Sequence, residues 1–516
     1  MVDELTKRIK TKFNFSETEI SEDIDKNVEK ITTSSPEAHK YYIEAREHHF
    51  LADYERSFEA MDKALDLDPE FAMAYRSLAV SYHNLGNFPE KKKAIQKAFE
   101  LSYRVSDKER YIIAAEYHKI KNEYDKTIEA YNQVLELYPE DRIAITNLGV
   151  LYSEFDEWEK AVEFFEVNIR NKVNGVIASF NLAEGLMAIG QYERALDALR
   201  DCLKDYPDHP VLFTKIALIH VCQGEYELAL TELDKAISLA PNAYRSKLKA
   251  DIFQLKGDLI RAEKEYQKLQ KRSIRRKPGQ VSLYLLQGRV KEAVNLIRQE
   301  PVTGDYFTYL DQKLSSPDEA LKKYSIALSE AFEQESYLSQ CRILHAMELC
   351  YLKKKSYEEA KNTAFELRYL IQEGENKKAI RFNLHLMGLI DLESGNFSKA
   401  VDTFRNAISL LPFPFDNRFY YQALFLDSLV WAYYKAGNLE KAEEEYEKIV
   451  SLTLPRLYDG DIYAKSFFML GKIHQEQGQP KEAVKYYQKF LDLWGAADEG
   501  ASEVREAKKQ LSLLQD

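Results

Sequence analysis

The chain has 516 residues and a formal net charge of −12; 45% of its residues are hydrophobic and 30% are charged. This composition is that of a soluble folded protein and excludes disordered and fibrous chains, which are richer in glycine and proline. The negative charge argues against a general nucleic-acid binder, because phosphate binding needs clustered lysine and arginine side chains. The length exceeds that of one ordinary core and predicts several domains or an array of repeats.

Residues 1–33 precede the first repeat. They lack the apolar stretch of a signal peptide, and the chain contains no run of about 18 apolar residues that could cross a membrane. Two amphipathic patterns, Met1–Phe13 and Ser16–Ile31, predict short helices. We expect an N-terminal helical cap or the end of an upstream domain. We also expect a cytoplasmic protein, unless a membrane-anchored domain upstream places it elsewhere.

A repeated unit extends over residues 34–270, and its clearest copy is Pro210–Pro241. Apolar residues from Phe213 to His220 follow helical spacing, Gly224 marks a turn, and a second helix ends at Pro241. Neither helix can bury its apolar stripe alone, so each unit needs neighbours. A small residue in the first helix recurs at intervals of 34, 36, 34, 34, 34 and 33 residues, at Ala45, Ala79, Ala115, Gly149, Ala183, Ala217 and Ala250.

The repeats are interrupted at residues 271–336 by a basic linker and a degenerate unit. They return at residues 337–498 with a longer period, because the equivalent markers Glu348, Gly388, Val430 and Gly471 are 40, 42 and 41 residues apart. Part of the additional length lies between units, as at Leu454–Asp461. Residues 499–516 predict a final helix that caps the array.

The 34-residue period, the helix–turn–helix pattern and the small residues resemble the tetratricopeptide repeat. This resemblance implies an all-α fold, an α-solenoid in which about twelve helical hairpins form a right-handed superhelix. Two further stretches, ITTSSPEAHKYYIEAREHH and GDIYAKSFFMLGKIHQEQG, resemble repeat regions attached to bacterial serine/threonine kinases, adenylate-cyclase-like regulators and regulators with a TolB-like domain. That resemblance implies an interaction or sensor module without the catalytic or DNA-binding domain.

We recognise no catalytic or metal-binding pattern in the sequence. It has no phosphate-binding loop, no H-E-x-x-H and no kinase signature. The four cysteines lack C-x-x-C spacing and are predicted to be buried, reduced thiols. One repeat position alternates between histidine and tyrosine, which favours packing over metal binding; it holds His48, His118, His220 and His474, and Tyr82, Tyr152 and Tyr433. We therefore expect no enzymatic activity, no cofactor and no metal.

Partner-binding residues are expected on the first helix of each unit, which lines the concave side of such arrays. Asn147 and Asn181 hold the same position one unit apart, and each amide can both donate to and accept from a peptide backbone, or else bond a neighbouring helix. Trp431 is either a binding hot spot on an open face or part of the helix packing. The candidate residues are Arg76, Asn147, Asn181, Lys215, Lys247, Asp427, Trp431 and Lys472.

A basic run in the linker is either a solvated connection or a docking patch for an acidic or phosphorylated partner. Its charged residues are Lys271, Arg272, Arg275, Arg276 and Lys277. Arrays that hold the carboxyl-terminal tails of chaperones use lysine and asparagine at positions that carry Tyr42, Arg46, Arg76 and Val80 here. We therefore reject a chaperone adaptor.

We predict a non-catalytic scaffold or sensor module in bacterial signalling or regulation. Its partner would be a protein or an extended peptide in the concave groove, without nucleic-acid binding or membrane insertion. One alternative is a substrate-recruiting module of a kinase or cyclase-like enzyme whose catalytic domain lies outside this chain. The other is a scaffold for homo-oligomerisation through the C-terminal block.

Overall fold

A computed structural model describes residues 33–50, 53–171, 175–270, 278–298, 314–333, 337–373, 376–411 and 422–515. These residues form 26 α-helices and no β-strand. Among the described helices, Pro317–Glu333 and Ser502–Gln515 belong to no pair, and the other 24 form twelve consecutive pairs. The prediction of an all-α solenoid of about twelve hairpins is confirmed.

The first helix of each pair is called helix A and the second helix B. The helices of the N-terminal half are α1 (Pro36–Phe50), α2 (Tyr54–Leu67), α3 (Ala72–Asn84), α4 (Phe88–Glu100), α5 (Asp107–Ile120), α6 (Tyr124–Leu137), α7 (Arg142–Glu154), α8 (Trp158–Arg170), α9 (Gly175–Ala188), α10 (Tyr192–Asp205), α11 (Pro210–Cys222), α12 (Tyr226–Leu239), α13 (Ala243–Lys256) and α14 (Leu259–Gln270). Those that follow are α15 (Pro278–Leu286), α16 (Val290–Arg298), α17 (Pro317–Glu333), α18 (Tyr337–Lys353), α19 (Tyr357–Glu373), α20 (Ile380–Glu393), α21 (Phe397–Ser409), α22 (Gln422–Lys435), α23 (Leu439–Ser451), α24 (Gly460–Glu476), α25 (Pro480–Leu493) and α26 (Ser502–Gln515).

Where the structure describes the whole turn from helix A to helix B, that turn contains one residue with positive φ. This residue is glycine in most hairpins, as at Gly224 and Gly437, and it is Asn122, Asp156 or Lys355 in three others. Glycine adopts this conformation without strain because it has no Cβ atom. The recurring glycine in the sequence therefore reflects the positive φ that the backbone adopts at these turns.

Helices A and B of one hairpin approach closely where the marker residue of helix A is small. A Cβ atom added to Gly471 would lie 2.8 Å from Tyr487 Cδ1, and one added to Gly388 would clash with the ring of Phe404. In both hairpins the bulky ring of helix B occupies the space that the small residue leaves. The spacing of small residues in the sequence thus reflects direct helix packing.

The chain divides within α7 into two compact units. The first ends at Val150, and the second takes in almost all of the described chain from Leu151 onward. In the first unit, Tyr42, Phe71 and Ile113 belong to one hydrophobic cluster. This division falls inside residues 34–270, and the predicted boundaries of the repeat blocks stay predictions.

Within the second unit, helices that are distant in sequence pack together. One hydrophobic cluster contains Phe253 of α13 and Phe467 of α24. Asp498 N donates to Gly288 O at 3.1 Å, and Asp498 Oδ2 accepts from Lys291 N at 2.9 Å, 207 residues away in sequence. The hairpins near residues 250–290 are therefore joined to those near residues 450–500.

This packing covers A helices on more than one side. In α11, every residue from Thr214 to Val221 is buried. In α13, every residue from Ala250 to Leu255 is buried. The face of α11 that carries the candidate binding residue Lys215 is therefore covered. None of the described helices combines the length and the apolarity that crossing a bilayer requires.

Candidate partner-binding surfaces

Arg76 lies on α3 and is bound to Glu116 of α5. Its Nε atom donates to Glu116 Oε1 at 2.8 Å, and its Nη2 atom contacts the same oxygen. The two side chains are 14% and 18% exposed. Burial alone lowers the pKa of Arg76, but the charge of Glu116 and the hydrogen bond to it outweigh this effect and raise the pKa. A partner would meet an ion pair here rather than an isolated cation.

The two asparagines have different surroundings. Asn147 Nδ2 donates to Tyr131 Oη of α6 at 2.9 Å. This contact matches the alternative in which the amide bonds a neighbouring helix. Asn181 is half-buried on α9. The two residues belong to different compact units, and a shared role in holding a peptide stays a prediction.

The two lysines that follow along the chain are engaged by neighbouring side chains. Lys215 is 6% exposed, and its Nζ atom lies 3.8 Å from the ring centroid of Phe180 and 3.7 Å from Glu184 Oε2. Lys247 Nζ donates to Asp251 Oδ2 at 2.6 Å. A partner would have to displace these contacts to bind either ammonium group.

Trp431 and its neighbours form a partly exposed group, the Trp431 cluster, which consists of Trp431, Tyr434, Lys435 and Lys472. The rings of Trp431 and Tyr434 are 5.7 Å apart and nearly perpendicular. Lys435 Nζ lies 5.4 Å from the Trp431 ring, and Lys472 Nζ lies 5.7 Å from the Tyr434 ring. Tyr434 Oη donates to Glu476 Oε1 at 2.6 Å. The cluster combines two aromatic rings with two cations on α22 and α24.

Asp427 is half-buried one turn before Trp431. Burial, and to a smaller extent the charge of Asp427, raises the pKa of Tyr446 on α23. The basic run of the linker, residues 271–277, lies outside the described residues. Its docking role stays a prediction.

A chain of buried polar side chains connects three A helices of the second unit. His345 Nε2 lies 3.0 Å from His385 Nδ1, and His385 Nε2 lies 2.9 Å from Ser428 Oγ. The Ser428 hydroxyl donates to Leu424 O at 3.0 Å, so it accepts from His385 Nε2–H. His385 Nδ1 then carries no proton and accepts from His345 Nε2–H. This sequence of donors requires a neutral His385 ring.

The surroundings of both histidines keep them neutral. Burial lowers the pKa of His345 to about 3. Burial, followed by the charge of His345, lowers the pKa of His385 well below its ordinary value. The ring of His385 is buried and stacks on Phe425 at a centroid distance of 4.1 Å. The 40-residue separation of the histidines, one period of the longer repeat, was the signal that could have predicted their contact.

Glu348 is a second buried ionisable group, one helical turn after His345. Its side chain is fully buried, and neither carboxylate oxygen has a hydrogen-bond partner in the part of the chain that the structure describes. Burial raises its pKa well above the ordinary value. Among the described residues, no group of three or more histidine, cysteine or acidic side chains could hold a metal ion.

The histidines at the alternating position contact the beginning of helix B. His118 Nδ1 lies 2.5 Å from Glu123 Oε2, and His220 Nδ1 lies 2.6 Å from Glu225 Oε2. His474 Nδ1 lies 2.8 Å from the side chain of Gln479, again five positions later. Each contact closes the turn between helices A and B. The geometry is that of a structural contact, as the sequence pattern indicated.

Three family models of the tetratricopeptide repeat match the sequence, at residues 39–71, 180–244 and 428–495. These matches lie at both ends and in the middle of the array of hairpins. The chain is a tetratricopeptide repeat protein. Tetratricopeptide repeat proteins act as protein-interaction scaffolds.

Curated relatives of this tetratricopeptide repeat protein come from an archaeon and a yeast. A TPR repeat-containing protein of Methanocaldococcus jannaschii is 25% identical over 365 residues, which cover 65% of this chain and 61% of that protein. Superkiller protein 3 of Schizosaccharomyces pombe is 28% identical over 206 residues, which cover 39% of this chain and 14% of that protein. The chain thus spans less than two thirds of either relative.

Two solved structures match this chain over most of its length. The anaphase-promoting complex hetero-tetramer Cut9–Hcn1 matches 94% of this chain and 97% of its own chain, with 14% identity and a TM-score of 0.31. Yeast Tom70 matches 93% of this chain and 95% of its own, with 14% identity and a TM-score of 0.29.

Proposed function

We propose that this protein is a non-catalytic scaffold that binds other proteins or extended peptides through the exposed parts of its A-helix faces. It would act in a bacterial signalling or regulatory assembly in the cytoplasm. The scaffold role is supported by the repeat family. The bacterial setting is supported by the resemblance of the sequence to repeat regions of bacterial regulators.

The Trp431 cluster is the observation that carries the proposal for this chain. An indole ring offers a large rigid contact area, and tryptophan is enriched among the residues that dominate binding energy. The ring packs against the hydrophobic cluster of the second unit, which fixes its orientation, yet it remains only half-buried. It can therefore present a preformed apolar surface to a partner.

The two lysines beside the rings determine the charge that this surface prefers. Lys435 is exposed and Lys472 is half-buried, so both ammonium groups can be reached from solvent. Glu476 is held by the Tyr434 hydroxyl and adds one negative charge nearby. The surface fits an apolar side chain stacked on Trp431 and an acidic side chain beside Lys472.

The test uses the full chain and a phage-displayed library of random peptides, followed by fluorescence polarisation with synthetic copies of the selected peptides. We expect Trp431→Ala to weaken binding by at least about tenfold, as for a hot-spot residue. Lys472→Glu should weaken the acidic peptides most. Tyr369→Ala removes an aromatic side chain that is 60% exposed on α19 and is the matched control.

Two results would contradict the proposal. If no peptide is selected, peptide binding by the exposed A-helix faces is wrong. If the selected peptides bind Trp431→Ala and wild-type protein equally, the Trp431 cluster is not their binding site.

A further inference from the structure

Thr453–Tyr458, the segment between α23 and α24, belongs to the residues that lengthen the second-block repeats. Leu454–Leu457 forms a short 3₁₀ turn, and Leu454, Pro455 and Leu457 are buried. In the first block the connection from one hairpin to the next is shorter, as between Leu239 and Ala243. Hairpins of the first block therefore form without such a segment, whereas here three of its residues are buried.

Thr453 and Arg456 lie against the C-terminal ends of two A helices. Thr453 Oγ1 donates to Cys222 O, at the last residue of α11, over 3.4 Å. Arg456 Nη2 donates to Leu255 O, in the last turn of α13. These carbonyl groups have no partner within their own helices, because the last turn of a helix leaves its acceptors free. The segment supplies the missing donors.

Leu457, the next residue of the segment, lies against a third A helix. Ser282 Oγ of α15 donates to Leu457 O. The chain then enters α24 at Gly460, where an added Cβ atom would lie 2.8 Å from Ser282 O. Thr453, Arg456 and Leu457 therefore contact α11, α13 and α15 in order. One short segment crosses three successive hairpins, as a bound peptide would.

Arg456 has the most specific environment of the segment. Its Nη1 atom donates to Tyr463 Oη at 3.1 Å, and its Nη2 atom donates to Tyr226 Oη at 3.2 Å. The guanidinium carbon lies 4.8 Å from the ring centroid of Tyr463. The end of α13 adds the negative pole of a helix dipole. A planar cation with several donors matches this site better than an ammonium group.

We propose that the C-terminal ends of α11 and α13, together with the middle of α15, form a binding site for an arginine-containing segment, and that Thr453–Tyr458 occupies this site in cis. The natural competitor is a segment of another protein in which an arginine lies between apolar side chains. A segment tethered in the same chain acts at an effective concentration on the order of 1 mM, so the cis contact blocks weak competitors. The contact is autoinhibitory and sets a threshold for binding.

This site is separate from the Trp431 cluster, because the groups that bond Thr453 and Leu457 and the carbonyl that bonds Arg456 belong to α11, α15 and α13, whereas that cluster lies on α22 and α24. The probe is a fluorescein-labelled peptide with the sequence of Ser451–Gly460, and its control carries alanine in place of Arg456. In one protein variant, Gly and Ser residues replace Thr453–Tyr458 at unchanged length. A second variant, Arg456→Ala, keeps the segment but removes its main anchor.

The variant without the segment should bind the peptide at least about tenfold more tightly than the wild-type protein does, because the cis competitor is gone. Arg456→Ala should show a smaller gain. The alanine peptide should bind the first variant at least about tenfold more weakly, since a charge-assisted network is lost. Circular dichroism shows which variants are folded. If the variant with Gly and Ser in place of Thr453–Tyr458 does not fold, the binding gain of Arg456→Ala tests the inference by itself.

Three outcomes would overturn the inference. Folded variants could bind the peptide no better than the wild-type protein, or the alanine peptide could bind as tightly as the original. The third is a loss of binding when Trp431→Ala is added to the first variant, because the peptide would then occupy the Trp431 cluster. Unchanged binding in that variant supports the inference whether or not the Trp431 cluster binds partners of its own.

Discussion

Arg381 Nη1 lies 3.0 Å from Asp156 Oδ2, although 225 positions separate the two residues in the sequence. Their side chains are 0% and 4% exposed. Asn376 Nδ2 donates to the same carboxylate at 3.1 Å, and Lys378 Nζ donates to Asp156 O at 2.6 Å. A single turn residue between α7 and α8 thus holds the beginning of α20.

Arg381→Met should destabilise this part of the second unit. The substitution leaves the Asp156 carboxylate buried beside fewer donors, and breaking a buried ion pair in this way costs about 3 kcal/mol. Hydrogen exchange should accelerate in α20 and at the turn before α8, and the unfolding temperature should fall.

The double variant Arg381→Met with Asp156→Asn is the matched control for the ion pair. It removes both charges, and asparagine tolerates the positive φ of 59° at this position. It should recover a large part of the lost stability. An unchanged exchange rate in α20 of the single variant would show that the pair does not hold the helix.

The local structure of this chain could be predicted from its sequence. The intervals between Ala45 and Ala250 identified the hairpins, and glycines such as Gly224 identified the turns, because both follow from contacts within one hairpin. The contact between Asp156 and Arg381 could not be predicted. The two residues meet because hairpins far apart in sequence pack together, and no period of the sequence encodes that packing.

The candidate binding residues show the same limit. Trp431 could be found from its position on helix A, and the structure leaves it partly exposed. The same reasoning could not show that Lys215 is buried, because its cover depends on packing beyond its own hairpin. Arg456 was missed because the residues that lengthen the repeat were treated as a spacer. Its apolar neighbours Leu454 and Leu457 were the available signal.

The histidine pair predicts a loss of stability at mildly acidic pH. The ordinary pKa of histidine is 6.5, and burial lowers that of His345 to about 3 and that of His385 well below 6.5. Below about pH 6.5 the unfolded chain takes up protons that the folded chain does not. Stability should fall by about 1.4 kcal/mol per pH unit for each ring. Thermal unfolding between about pH 7.5 and about pH 5 measures this loss.

Replacing both rings tests the origin of that pH dependence. His345→Leu with His385→Leu removes the two titrating groups, so its unfolding temperature should fall less between the same pH values. An equal pH dependence in the double variant and the wild-type protein would exclude the pair as the cause.

The buried carboxyl group of Glu348 leads us to predict the opposite pH dependence of stability. Burial raises its pKa well above the ordinary 4.5. Below about pH 4.5 the carboxyl group is protonated in both states, and above that value only the unfolded chain ionises freely, so stability is lost as the pH rises. Glu348→Gln should therefore raise the unfolding temperature at about pH 8 and change it little at about pH 4.5.

An exposed glutamate on the next helix provides the comparison for Glu348. Glu366→Gln on α19 should change the unfolding temperature little at either pH, because its side chain is in solvent in both states. If Glu348→Gln lowers the unfolding temperature at high pH, the carboxylate is ionised and stabilised in the folded chain, and the prediction is wrong.

Lys355 provides the last prediction, because it is a lysine in a turn where most hairpins carry glycine. Its φ is 59°, and a left-handed conformation costs a side chain with a Cβ atom about 1 kcal/mol. Its side chain is exposed, so little packing is lost on replacement. Lys355→Gly should raise the unfolding temperature, whereas Gly395→Lys, at the equivalent turn of the next hairpin with φ of 78°, should lower it. Differential scanning calorimetry of both variants checks the sign, and a decrease for Lys355→Gly would show that the entropy gained by the unfolded chain outweighs the relief of strain.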